Sequence, residues 1–100
     1  MSCCTALIAA FLAATSIQAP PARYDHPPKI QMKVMEAPPS QLRRVCRLAS
    51  GYRGGGTILA CSMPGKSRCI IIWPAGEKRA GLLWRHERAH CNGWPAHHPR

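Results

Sequence analysis

Residues 85–98 read RHERAHCNGWPAHH, and the way this stretch is read decides how the rest of the chain is arranged around it. It holds four of the five histidines and one of the four carboxylates in a chain of 100 residues. His86 and His90 are four apart, a spacing that stacks two imidazoles one helical turn above one another. Leu82 and Leu83 extend the same stripe upstream, while Arg85 and Arg88 point away from it. Asn92 and Gly93 supply a left-handed stop and Pro95 prevents resumption, so a helix is predicted over 77–92.

Working toward the N-terminus, residues 57–62 (TILACS) and 68–74 (RCIIIWP) are two β-rich runs around MPGKS. They predict a hairpin with Pro64 and Gly65 in its turn. Residues 51–56, GYRGGG, read as a flexible connection; they lack the spaced glycines and the Lys-Ser/Thr pair of a phosphate cradle. Before them, residues 41–50 place Leu42, Val45, Cys46 and Ala49 at helical spacing. Ser40 stands as a candidate N-cap, Gly51 as a stop, and arginines 43, 44 and 47 face outward. In residues 29–35, KIQMKVM, Ile30, Met32 and Val34 alternate with polar residues, the period of a half-buried strand. The Pro-Pro pairs at 27 and 28 and at 38 and 39 suit an edge strand.

Residues 1–19 contain no charged side chain, and all eighteen charged residues follow them. Their apolar run is short for a membrane span and ends in SIQA, which predicts a signal peptide over 1–19 with Ala19 as its last residue. An uncleaved short anchor is the alternative. The expected division is therefore 1–19 signal peptide, 20–40 Pro-rich segment with an edge strand, and 41–100 small zinc-binding domain. Residues 20–100 keep Cys46, Cys61, Cys69 and Cys91, an even number that reads as two disulfides in a periplasmic or secreted protein. Of the three connectivities, Cys61–Cys69 across the hairpin with Cys46–Cys91 is preferred.

The chemistry of residues 86–90 is specific. Two imidazoles on one helix face can hold a zinc ion, and Glu87 on the adjoining face can reach a water activated by it without ligating the metal. The residues His86-Glu87-Arg88-Ala89-His90 match HExxH, and with the hairpin ahead of them the chain resembles the zincin metallopeptidases. Gly93 sharpens the likeness toward the metzincin branch, HExxHxxGxxH. There the position of the third histidine is Ala96 in this sequence, with His97 one residue later, and no methionine follows Met63 to make the branch's Met-turn. The resemblance implies an α+β fold with a minimal zincin-like core: edge strand, short helix, hairpin and active-site helix, stapled by disulfides. It implies zinc on His86, His90 and His97, with Glu87 as general base for peptide hydrolysis. It also implies that residues 69–73, CIIIW, bind substrate as an added strand, although such a run also reads as core.

Other donors remain open. No acidic residue follows Glu87, so the third ligand is His97, His98, Cys91 or a group upstream. Tyr52 is a candidate oxyanion partner. A structural zinc module of Cys61, Cys69, His86 and His90 is a competing arrangement, and a non-catalytic cationic binding protein is another. The net charge of +10 favours acidic or cell-wall-associated peptide partners. No nucleic-acid partner is expected.

Overall fold

The structure is a computed structural model and describes residues 17–50 and 57–100. Three strands, β1 (Gln31–Ala37), β2 (Cys61–Pro64) and β3 (Arg68–Pro74), form one sheet in the order β1-β3-β2. β1 runs parallel to β3, with Val34 opposite Ile71, and β2 runs antiparallel to it, with Cys61 opposite Ile72. Two helices complete the fold, α1 (Leu42–Ser50) and α2 (Gly81–Cys91), with short 3-10 turns at Ala22–Tyr24 and Pro39–Gln41. This is a small mixed α+β architecture. No helix among the described residues is long and apolar enough to cross a membrane.

Strand pleating sends successive side chains of β3 to opposite faces. Cys69, Ile71 and Trp73 pack with Met32, Val34, Leu83, Trp84 and Cys91 on the α2 side. Ile72 turns the other way and packs with Ala37, Leu42 and Cys46 on the α1 side. The sheet is thus sandwiched between two helices, with β3 buried on both faces. That burial explains why RCIIIWP is nearly continuous in apolar residues, while the edge strand β1 alternates. Trp73, Trp94, Ile71 and Ile72 are fully buried, each contributing roughly 1.5–3 kcal/mol.

One disulfide lies on each side of the sheet. Cys46 of α1 bonds Cys61 of β2, and Cys69 of β3 bonds Cys91 of α2. The expected pairing of Cys61 with Cys69 and Cys46 with Cys91 is therefore corrected. Its premise was a hairpin with Pro64 and Gly65 in its turn, centred on Gly65 so that Cys61 faces Cys69. The observed register, Pro64 opposite Cys69, moves the centre to Lys66 and Ser67 and leaves Cys61 three positions out of step with Cys69. An odd offset puts the two on opposite faces of the sheet, where each meets a different helix.

Two further expectations shift. Ser40 lies inside the Pro39–Gln41 turn, which runs directly into α1 at Leu42, so the residue that precedes α1 is Gln41 and not Ser40. The expected stop at Gly51 lies outside the described residues. Helix α2 begins at Gly81 rather than at Glu77. Gly81 has φ +83°, a left-handed value that breaks the helical path before it, and Glu77 is held in a turn by its N–H to the Pro74 carbonyl. Trp73 Nε1 donates to the Glu77 carbonyl at 3.0 Å and fixes that turn against the sheet.

Residues 18–26 are bonded along α2. The Asn92 amide donates to the carbonyls of Tyr24 (2.8 Å) and His26 (2.6 Å). Asp25 pairs with Arg85 at 2.6 Å and with Arg88 at 3.3 Å. Of the segment expected to be a signal peptide, residues 1–16 lie outside the described residues, while Ile17, Gln18 and Ala19 lie within them.

Candidate metal centre

Helix α2 presents His86 and His90 one turn apart on the side facing the chain's C-terminal tail, with ring centroids 5.1 Å from each other. Its end is set by Gly93. With φ +96° the glycine lets its own N–H bond the His90 carbonyl (3.1 Å) and the Trp94 N–H bond the Ala89 carbonyl (3.2 Å), a Schellman closure. The chain then folds back. The His98 N–H donates to the Pro95 carbonyl at 2.9 Å, and Trp94 Nε1 donates to the Pro99 carbonyl at 2.8 Å. Within this loop His98 adopts φ +58°, a left-handed conformation that costs a non-glycine residue about 1–2 kcal/mol. The turn points its ring inward, 4.8 Å from His86 and 4.9 Å from His90 between centroids.

His86, His90 and His98 each offer a ring nitrogen, and these atoms lie within 4.8 Å of one another. The three residues could hold a metal ion. Two hydrogen bonds prepare them for it. His90 Nδ1 lies 2.7 Å from the Trp94 carbonyl and His86 Nδ1 lies 2.8 Å from the Gln18 carbonyl. A carbonyl can only accept, so both Nδ1 atoms carry the proton and both Nε2 atoms keep a lone pair for a ligand. His90 Nε2 and His98 Nε2 are 3.1 Å apart. Two nitrogens bound tetrahedrally at 2.0–2.1 Å from zinc are about 3.3 Å apart, so the donor pair is already near that spacing.

Trp94 is the floor of this cluster, in ring contact with all three histidines at 4.9–5.0 Å and stacked on His90 at 16°. Burial lowers the pKa of His90, and the neighbouring charges of His86 and His98 lower it further against the opposing bond to Trp94. Burial followed by the charges of His86 and His97 does the same for His98. Both shifts favour the neutral imidazole, the form that ligates metals.

Glu87 is 7% exposed and lines the same cleft, of about 660 Å³, as His86, His90 and His98. Burial raises its pKa, opposed by the charge of His86 and by a hydrogen bond from Ser62 on β2. Glu87 thus lines the cleft with the three imidazoles and is hydrogen-bonded to Ser62.

The histidine that converges is His98. His97, favoured as the third ligand from spacing, is exposed and lies outside the group. Cys91, another candidate, is spent in the bond to Cys69, and Cys61 in the bond to Cys46, so the Cys61, Cys69, His86, His90 module has no thiolate to offer. Tyr52 lies outside the described residues. The strand CIIIW cannot accept an added strand, because β3 is already paired on both edges. Sequence reasoning missed Trp94, Ser62 and Gln18. The stop signal at Gly93 pointed near Trp94, but nothing local in sequence links Ser62 or Gln18 to the site.

No family model, curated protein or solved structure matches this chain.

Proposed function

We propose that this chain is a small zinc-dependent metallopeptidase, exported to the periplasm or secreted. The observation that supports it most is the convergence of His86, His90 and His98 in one cleft with the buried Glu87. A zinc ion held by the three imidazoles would supply a Lewis acid that lowers the pKa of water and polarises a carbonyl. Glu87 takes a proton from the attacking water at its carboxylate oxygen and returns it to the leaving amine. Its raised pKa brings it closer to neutral pH, where such an exchange is efficient. The Ser62 hydroxyl orients that carboxylate.

Of the two sheet edges, that of β2 borders the cleft and suits an extended peptide. β2 pairs with β3 on one side only among the described residues, and Ser62 of β2 borders the cleft, so its outer edge can accept a further strand. Acidic peptides are favoured by the net charge of +10. Two disulfides suit an oxidising compartment, which supports export.

The test is Glu87→Gln on the zinc-loaded protein. Zinc content should stay at one per chain while cleavage of an acidic reporter peptide falls by about 10²–10⁴-fold, the usual size of a general-base contribution. Wild-type turnover in the variant, or no turnover in a zinc-loaded wild type, defeats the reading. Rate preference for acidic over neutral peptides should shrink as salt rises.

A second reading, a non-catalytic cationic binding protein, is favoured by one observation. Asp25 and Glu36 are engaged with arginines and Glu87 is buried, while Lys29, Lys33, Arg43, Arg44 and Arg68 are exposed. Disulfides without bound metal would select it.

A further inference from the structure

We propose that Gln18 is a positioning residue of the histidine centre, and that the chain holding the centre retains residues 18–19. The proposal rests on the metal-centre reading above. Two bonds lead to it. The Gln18 main-chain carbonyl accepts from His86 Nδ1 at 2.8 Å, and the Gln18 carboxamide donates from Nε2 to the His98 carbonyl at 3.2 Å. One residue thus touches two of the three converging histidines across 68 and 80 positions of sequence.

Each bond does a different job. The first sets the tautomer of His86. Without an acceptor at Nδ1 the ring proton is free to sit at Nε2, and an Nε2–H cannot ligate. The second braces the left-handed turn that aims His98 inward. His90 needs no such help, since Trp94 of its own helix end supplies its acceptor.

Gln18 is not a loose end that happens to fall there. The residues after it are fastened along α2 in sequence: Pro20 is buried, the carbonyls of Tyr24 and His26 accept from Asn92, and Asp25 pairs with Arg85 and Arg88. Ile17 and Gln18 also line the cleft. Cleavage after Ala19, as SIQA suggests, would remove the acceptor of His86 and the brace of His98 together. Processing that leaves the centre whole must cut before Gln18.

Cobalt(II) is the probe, titrated into the full chain and read by visible absorption. Gln18→Met keeps side-chain length and apolar reach but has no amide donor. It should weaken cobalt affinity about 10-fold and alter the absorption bands, the lower end of the usual cost of losing an outer hydrogen bond, with the metal-free melting temperature little changed. Wild-type affinity and bands in the variant overturn the brace on His98. So does a variant that melts earlier without metal yet binds cobalt as the wild type does, since the Gln18 side chain would then be only a structural clamp. A chain beginning at Pro20, which also lacks the main-chain acceptor of His86, should bind cobalt more weakly still, and equal binding by the Pro20 chain and Gln18→Met overturns the role at His86. A wild type that binds no cobalt instead removes the metal centre itself, and the proposal with it. The second half is read from the intact mass of the exported chain. A first residue at or before Gln18 is expected, and a chain starting at Ala19 or Pro20 overturns it.

Discussion

His98 reaches the centre through its backbone. At φ +58° its ring lies 4.8 Å from that of His86 and 4.9 Å from that of His90, and the Trp94–Pro99 bond holds the loop closed. His97, one position earlier, is left exposed, so the two neighbours should separate cleanly in a metal titration. His98→Ala is expected to weaken zinc or cobalt affinity by at least 100-fold, because a three-nitrogen site becomes a two-nitrogen site, whereas His97→Ala should change it less than threefold. Equal losses in the two variants would show that the tail is arranged differently from the structure. The same contrast explains what sequence could reveal. His86, Glu87 and His90 were legible because their relation is local, fixed by the pitch of one helix. The third histidine depends on one left-handed dihedral and on a bond from an indole to a carbonyl five residues on, and spacing rules contain neither. Ser62 and Gln18 come from distant segments and had no local signal at all.

Helix α2 is defined by its two ends and by one covalent tie. Gly81 starts it, Gly93 closes it, and Cys91 fastens its last turn to β3 through Cys69. The four cysteines were legible as two disulfides but their partners were not, since pairing follows the face each strand position occupies and hence the hairpin register. A shift of the turn centre from Gly65 to between Lys66 and Ser67 was enough to change every partner. Element types were easier, because the alternation in β1 and the leucine and histidine stripe of α2 each repeat over several residues. The helix end is where stability and site meet. Gly93→Ala places a Cβ at φ +96°, in open space but in a conformation unfavourable to L-residues, and should cost about 1–2 kcal/mol of stability by thermal or urea unfolding. If the backbone relaxes to relieve that strain, Trp94 moves, and its carbonyl is the acceptor for His90 Nδ1. Metal affinity should therefore fall in Gly93→Ala although residue 93 touches no histidine side chain. A variant that loses stability but keeps wild-type affinity would separate the helix stop from the centre.

Across the molecule the charges are unevenly spread. Neither α1 nor the side of the sheet that it covers carries an acidic residue, whereas Asp25 and Glu87 both sit with α2. Asp25 is the electrostatic fastener of the N-terminal segment, and its chemistry predicts how the fold responds to acid. Its hydrogen bond to Arg85 lowers its pKa from the ordinary 3.8, with the charges of Arg85 and Arg88 and the Arg88 bond acting the same way and partial burial opposing them. A carboxyl whose folded pKa lies below its unfolded value stabilises the fold fully at pH above 3.8 and loses that contribution as pH falls through the lower, folded value. Glu87 works in the opposite sense: its raised pKa means that protonation favours the folded chain. Acid unfolding of the wild type therefore mixes two slopes, and Asp25→Asn removes one of them. The variant should be less stable than the wild type at pH 6, with the difference closing below about pH 4 as Asp25 in the wild type protonates. Melting temperatures of the two proteins from pH 6 to pH 2, taken at low salt where the partly exposed pair is least screened, make the comparison. A gap that stays constant down to pH 2 would mean that Asp25 holds the segment without its charge. A gap that closes as expected shows that the charge of Asp25 strengthens the grip of residues 18–26 on α2, beside the neutral bonds from Asn92, and so links the segment that braces His86 and His98 to the protonation of one carboxylate.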